Sequence, residues 1–264
     1  MTPVTLCLLA TVVFGGCAPA GEEGEPQIQD MTGGTAPGSG PKRPPYKTAP
    51  ITSWGRIAGA IEVDGDRPKD TTVTLTHDQK TCGDSLVDRT IDYDGGLAGA
   101  IVWLEDIHTG KALPVERRYV LTNERCVLSP RTQAAAVGGT LNIRSLDTVE
   151  HRNRLRVEPQ RRPRALVSLH MSGQVVPVED VLAKAGRVAV SCDRHPWTRG
   201  WILAFDHPYF VQSAKGGAFV IDSIPPGRYR LVAWHERFGS VEQQIAISAN
   251  AETRAPLKFK SPGK

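Results

Sequence analysis

SCDRHPWTRGW, Ser191 to Trp201, sets a thiol and an imidazole three residues apart on one short loop. The runs on either side, RVAVSC and GWILAF, are apolar and β-branched, so the loop joins two strands. Pro196 stiffens it, and Trp197 is placed to keep water off the thiol of Cys192 and the ring of His195. Three uses fit such a pair: ligands of one metal ion, a nucleophile with its base, or a buried thiol beside a loop histidine. The nucleophile is the weakest, because no helix start or oxyanion-type loop surrounds Cys192. A soft thiolate with imidazoles suits copper, and a trigonal set of two histidines and one cysteine is a known copper arrangement.

Outward from this loop, nearly every segment is strand-like. GRIAGAIEV, TTVTLTH, AGAIVWLED, GTLNIRS, AFVIDSI, RYRLVAW and EQQIAIS are short runs bounded by Gly, Pro, Asn or Asp. Only VPVEDVLAKAG offers a turn or two of helix. The expected fold class is all-β, a sandwich or a pair of sandwiches. AFVIDSIPPGRYRLVAWHE reads as a hairpin, with Pro226 at the first turn position and Gly227 taking the positive φ.

The N-terminus reads as a targeting segment. Val4–Phe14 is apolar but well short of the ~20 residues that cross a bilayer as a helix. It has the form of a signal peptide core. Phe14-Gly15-Gly16-Cys17 resembles a bacterial lipoprotein signal, which implies lipidation of Cys17 and residence in the cell envelope, periplasmic or anchored to the outer membrane. Residues 18–51 hold almost no large apolar side chains and read as a disordered linker. Of the five cysteines, Cys7 and Cys17 belong to the signal. Cys82 and Cys126, both in turn-like sequence, form the natural disulfide pair in an oxidising compartment, and Cys192 is left free.

A second histidine ligand should come from another strand end upstream. His151 follows VGGTLNIRSLDTVE, an alternating strand that runs into Ser-Leu-Asp. This element and the Cys192 loop together resemble the cupredoxins: the first is similar to G-x-x-(V/L)-x-(I/W)-x-N-x-D-x-x-x-H, the second to the amicyanin-type C-x-x-H-P-(F/W)-M. The resemblance implies copper held by His151, Cys192 and His195, with Thr198 in the axial place that the family gives to methionine. The glycines of GRIAGAIEVDG and the late Pro-Pro-Gly segment resemble a carboxypeptidase-regulatory-like module, a small transthyretin-like sandwich. The implied organisation is a signal over 1–17, the linker over 18–51, an N-terminal β segment of the regulatory-like sandwich over 52–115, a cupredoxin-like domain over 116–206, and the remaining β domain over 207–264.

The formal net charge is +4, so any electrostatic argument must be local. RNRLRVEPQRRPR, Arg152 to Arg164, is the one dense basic stretch. It is expected either as a solvated loop or as a docking patch for an acidic redox or envelope partner; the membrane would be met through the lipid anchor. No aromatics interleave these arginines, so nucleic acid is not an expected partner. His77, His108, His170, His207 and His235 are scattered and enter no ligand set. The expectation is an exported copper protein, not an enzyme, with one-electron transfer as the use of the metal. The alternative is a non-metal envelope scaffold or partner-binding sandwich that keeps a degenerate copper site.

Overall fold

The computed structural model describes residues 35–38, 44–66, 69–88 and 90–261. The expected signal, Cys17 and most of the expected linker lie outside the described residues; the end of that linker is corrected, since Lys47–Thr48 is a strand paired with Thr109–Gly110 and the Tyr46 hydroxyl donates to the Lys111 carbonyl. In chain order the strands begin with β1 (Lys47–Thr48), β2 (Gly55–Asp64) and β3 (Thr71–Thr74); a single helical turn, α1 (Gln79–Cys82), precedes β4 (Ser85–Asp88), β5 (Ile101–Leu104) and β6 (Thr109–Gly110). Next come β7 (Arg118–Glu124), β8 (Val127–Ser129), β9 (Thr132–Ala136), β10 (Thr140–Ser145), β11 (His151–Val157), β12 (Ala165–Leu169), β13 (Val175–Val178), β14 (Gly186–Cys192) and β15 (Arg199–Phe205). The last are β16 (Phe210–Gln212), β17 (Ala218–Ile224), β18 (Gly227–His235), β19 (Gly239–Ile247), β20 (Glu252–Arg254) and β21 (Leu257–Lys260).

The protein is all-β and contains two sandwiches. In the first, the sheet β16-β5-β18-β19 faces the sheet β17-β2-β20, with β21 also pairing β2. Ile57, Ile61, Val102, Leu104, Leu231, Ala233, Phe219 and Phe259 fill the space between them. Gly59 of β2 is required by close packing, since a Cβ there would stand 2.6 Å from the Phe219 ring. In the second, the sheet β13-β10-β7-β8 faces β12-β11-β14-β15-β9. Leu121, Leu141, Ile143, Leu155, Val188, Val190 and Ile202 form its core. The second sandwich is continuous in sequence, whereas the first is assembled from chain before and after it.

The two sandwiches are joined through a third apolar cluster. β5, β14, β15 and β18 alternate side chains between faces as any strand does, but both of their faces are covered. On β15, Ile202 and Ala204 point into the second core, and Trp201, Leu203 and Phe205 point out of it. On β18, Leu231 and Ala233 point into the first core, and Val232 and Trp234 point out. The outward sets meet: Trp201 and Trp234 pack edge to face with centroids 5.7 Å apart, and Trp103 lies 5.6 Å from Phe205. The Arg187 guanidinium sits 5.5 Å from both tryptophan rings and is held by Glu158 at 2.5 Å. Arg131 adds a polar clamp, reaching Glu236 of the first sandwich at 2.7 Å and Asp88 at 3.0 Å.

Two local expectations are corrected. β17 and β18 are not a hairpin. β17 pairs with β2 and β18 with β5 and β19, so Pro225-Pro226 carries the chain from one sheet of the sandwich to the other. Two successive prolines offer no N–H to a ladder, and the positive φ falls on Ser223 at 60°, not on Gly227. The hairpin of this region is β18–β19. VPVEDVLAKAG forms no helix: Asp180 takes a φ of 62°, and Val181 and Leu182 are drawn into the second core.

Candidate metal centre

Three strand ends meet at one rim of the second sandwich. β11 begins at His151, β14 ends at Cys192, and the two strands are antiparallel neighbours with Asn153 opposite Cys192. Asp193 N–H donates to the Arg152 carbonyl at 2.9 Å, which carries the pairing one residue into the loop. The loop then turns tightly: Thr198 N–H donates to the His195 carbonyl at 2.8 Å, bringing the His195 ring back over Cys192. His151, Cys192 and His195 are all buried. Cys192 is a free thiol, its Sγ 3.6 Å from His195 Nδ1 and 3.9 Å from His151 Nδ1.

The other nitrogen of each ring faces a carboxylate. His151 Nε2 lies 2.9 Å from Asp147 Oδ2, and His195 Nε2 lies 3.2 Å from Asp78 Oδ2. An ionised carboxylate only accepts, so each Nε2 carries a proton and each Nδ1 is turned toward the sulfur. Asp147 also accepts the backbone N–H of Arg125 at 2.6 Å and of Cys126 at 2.9 Å. Burial opposes its charge, but these three donors overcome the penalty and hold its carboxyl below the usual range. The sequence element D-x-x-x-H contains Asp147 and could have pointed to it. Asp78 and His77 carry no such signal, for they lie 117 residues from the loop atoms they meet.

Without a cation, protons fill the space between the donors. Burial penalises the Cys192 thiolate, yet the side-chain contacts of its sulfur with His151 and His195 bring its pKa down to about 6. Burial likewise opposes His151 as a cation, but Asp147 and Cys192 on its two sides raise it to about 9. A thiolate beside an imidazolium is the charge pattern a metal ion would replace.

The donor set fits copper. For bonds of ~2.0 Å to nitrogen and ~2.3 Å to sulfur spread by ~120°, the N···S edge is ~3.7 Å; the two edges here are 3.6 and 3.9 Å. Structural zinc takes four ligands, and a fourth free donor does not join this group among the described residues. The sulfurs of Cys82 and Cys126 also lie within 4.8 Å of a His195 nitrogen, but they are bonded to each other. That disulfide spans 44 residues, worth about 4 kcal/mol in the chain-entropy model. Thr198 is fully buried and its hydroxyl donates to the Cys126 carbonyl, tying the ligand loop to the disulfide.

The basic stretch is largely paired with acids of its own chain. Arg152 and Arg154 both reach Asp193, at 3.7 and 3.1 Å; Arg156 meets Glu158 at 3.6 Å and Arg164 meets Asp180 at 3.7 Å. Arg161 and Arg162 point to solvent. Among the described residues no helix is long and apolar enough to cross a membrane.

Residues 171–255 match the family model described as polysaccharide lyase family 4, domain II, a stretch that runs from the second sandwich into the first. No curated protein matches the chain. Among solved structures, a Cu-containing nitrite reductase from Thermus scotoductus is similar at 18% identity, covering 36% of this chain and 24% of that one, with a TM-score of 0.30. The chain thus spans about a quarter of that enzyme's length. A reduced amicyanin variant is similar at 15% identity over 33% of this chain and 81% of its own, with a TM-score of 0.29. A purple cupredoxin from Nitrosopumilus maritimus is similar at 18% identity over 34% of this chain and 99% of its own, with a TM-score of 0.27.

Proposed function

We propose that this protein holds one copper ion between His151 Nδ1, Cys192 Sγ and His195 Nδ1, and passes single electrons through it. The observation that carries the reading is the orientation of the two imidazoles. Both turn Nδ1 to the same sulfur while a carboxylate occupies each Nε2. A chance pair of core histidines has no reason to share that arrangement. Copper bound there supplies a one-electron couple. The residues do the rest: Asp147 and Asp78 fix the rings, and the buried surroundings keep water from the thiolate. Export belongs to the same reading, with Cys17 as the lipid anchor. The exposed Arg161 and Arg162 give an acidic partner a place to meet.

Copper(II) added to the metal-free protein should produce an intense visible band from thiolate-to-copper charge transfer, and Cys192→Ser should lose it. Failure of the wild-type protein to retain copper through dialysis would overturn the reading. A second reading has its own support. The buried thiolate and imidazolium already satisfy each other, so the cluster can serve as a structural element of an envelope scaffold. On that reading Cys192→Ser lowers stability and changes nothing in metal content.

A further inference from the structure

His195 is fully buried although it lies on a loop at the rim of its sandwich. Its cover comes from the segment between β3 and β4, which pair as a separate two-stranded sheet, and from Trp197 of its own loop. The His77 ring stacks on it at 5.5 Å and 21°, the Trp197 ring lies 5.0 Å from His77, and His77 Nε2 meets the Arg194 carbonyl. Beside His77, Asp78 places its carboxylate on His195 Nε2 at 3.2 Å.

Asp78 is unusual for its position. It stands at the start of α1, where its backbone carbonyl accepts from Thr81 and Cys82 at 2.9 Å each. An aspartate at a helix start ordinarily turns its side chain onto the first backbone N–H groups. Here the side chain makes no such bond, and the backbone takes left-handed angles, φ 53° and ψ 29°. A non-glycine residue is held in that region at a cost that surrounding structure must cover. The surroundings are evident: α1 ends at Cys82, Cys82 is bonded to Cys126, and the Cys126 carbonyl receives the Thr198 hydroxyl. The segment that bears Asp78 is therefore fastened to the segment that bears His195.

We propose that Asp78 is a positioning residue for His195. Its carboxylate accepts the Nε2 proton, fixes that tautomer, and leaves the Nδ1 lone pair facing Cys192. The metal centre is then composite: the second sandwich supplies three donors and Asp147, and the separate β3–β4 segment supplies the carboxylate behind the third donor. Because the Asp78 side chain is 40% exposed, water screens its charge, and its effect on His195 comes from hydrogen-bond geometry. The inference rests on the copper reading for its consequence, since copper uses the lone pair, but the tautomer is a property of the metal-free chain.

Two variants separate acceptor from charge. Asp78→Gly removes the carboxylate and relieves the left-handed backbone; Asp78→Asn keeps an accepting oxygen and tolerates the same angles. Long-range ¹H–¹⁵N correlation spectra of the metal-free protein read the tautomer of His195. Wild type and Asp78→Asn should show the Nε2–H form alone, and Asp78→Gly should show a mixture with unchanged melting temperature. Copper dissociation constants from chelator competition should rise about 10-fold to 100-fold in Asp78→Gly and stay within a few-fold in Asp78→Asn. A single Nε2–H tautomer and an unchanged constant in Asp78→Gly would overturn the inference, as would equal losses in both variants. If wild type binds no copper while its tautomer still depends on Asp78, the positioning role stands and the copper reading falls.

Discussion

β18 of the first sandwich buries Leu231 and Ala233 on one face and Val232 and Trp234 on the other; β15 of the second does the same with Ile202 and Ala204 against Trp201, Leu203 and Phe205. The two sandwiches thus meet through matching strands, yet among the described residues it is the rim of the second that gathers donor atoms. The difference lies in the loops at the strand ends. β14 runs into a tight loop that returns His195 over Cys192, and β11 starts on a histidine already oriented by Asp147. The segment between β3 and β4, which pair as a two-stranded sheet outside both sandwiches, ends in a disulfide to Cys126 and brings Asp78 and His77 to that rim. The site therefore draws on the second sandwich and on the β3–β4 segment that the disulfide fastens to it.

Breaking the shared face should have the largest effect on the fold. Trp234→Ala removes a fully buried ring from the cluster that joins the sandwiches. It should cost about 3–5 kcal/mol, read from denaturant midpoints. A variant with wild-type stability would show that the joint face carries little.

Affinity against pH probes the second sandwich alone. Copper must displace the proton that His151 holds up to about 9, so binding weakens as pH falls. Below that value the loss is about tenfold per pH unit, because one proton competes. Below about 6 the Cys192 thiol also takes a proton, and the loss steepens. A flat profile between these two values would show that His151 need not give up a proton.

How much of this was legible differs between the two regions for a physical reason. The meeting of His151 with the Cys192 loop and the Cys82–Cys126 pair were readable because short residue motifs and cysteine pairing leave local marks in sequence. The all-β class followed from short β-branched runs. The Pro-Pro-Gly segment misled, because a turn signal says that the chain changes direction, not whether the next strand pairs within the same sheet. The joint between sandwiches was hidden for another reason. When both faces of a strand are apolar, as in Ile101–Leu104, alternation disappears and burial partners cannot be assigned from pattern. Asp78 was invisible because its role depends on a contact 117 residues away.

Thr198→Val gives the smallest effect and separates two roles for that residue. Its hydroxyl donates to the Cys126 carbonyl, so losing it should cost about 1–2 kcal/mol through an unsatisfied buried acceptor. The melting temperature should fall while the charge-transfer band keeps its position. A shifted band would mean that the hydroxyl, or a water it holds, touches the ion.

The most direct test of the composite three-donor site is X-ray absorption at the copper edge of the loaded protein, beside Cys192→Ser. The account predicts one sulfur and two imidazole nitrogens in the wild type, at ~2.3 and ~2.0 Å, with the sulfur contribution gone in the variant. A wild-type spectrum of nitrogen and oxygen scatterers alone, or one unchanged by Cys192→Ser, would contradict it.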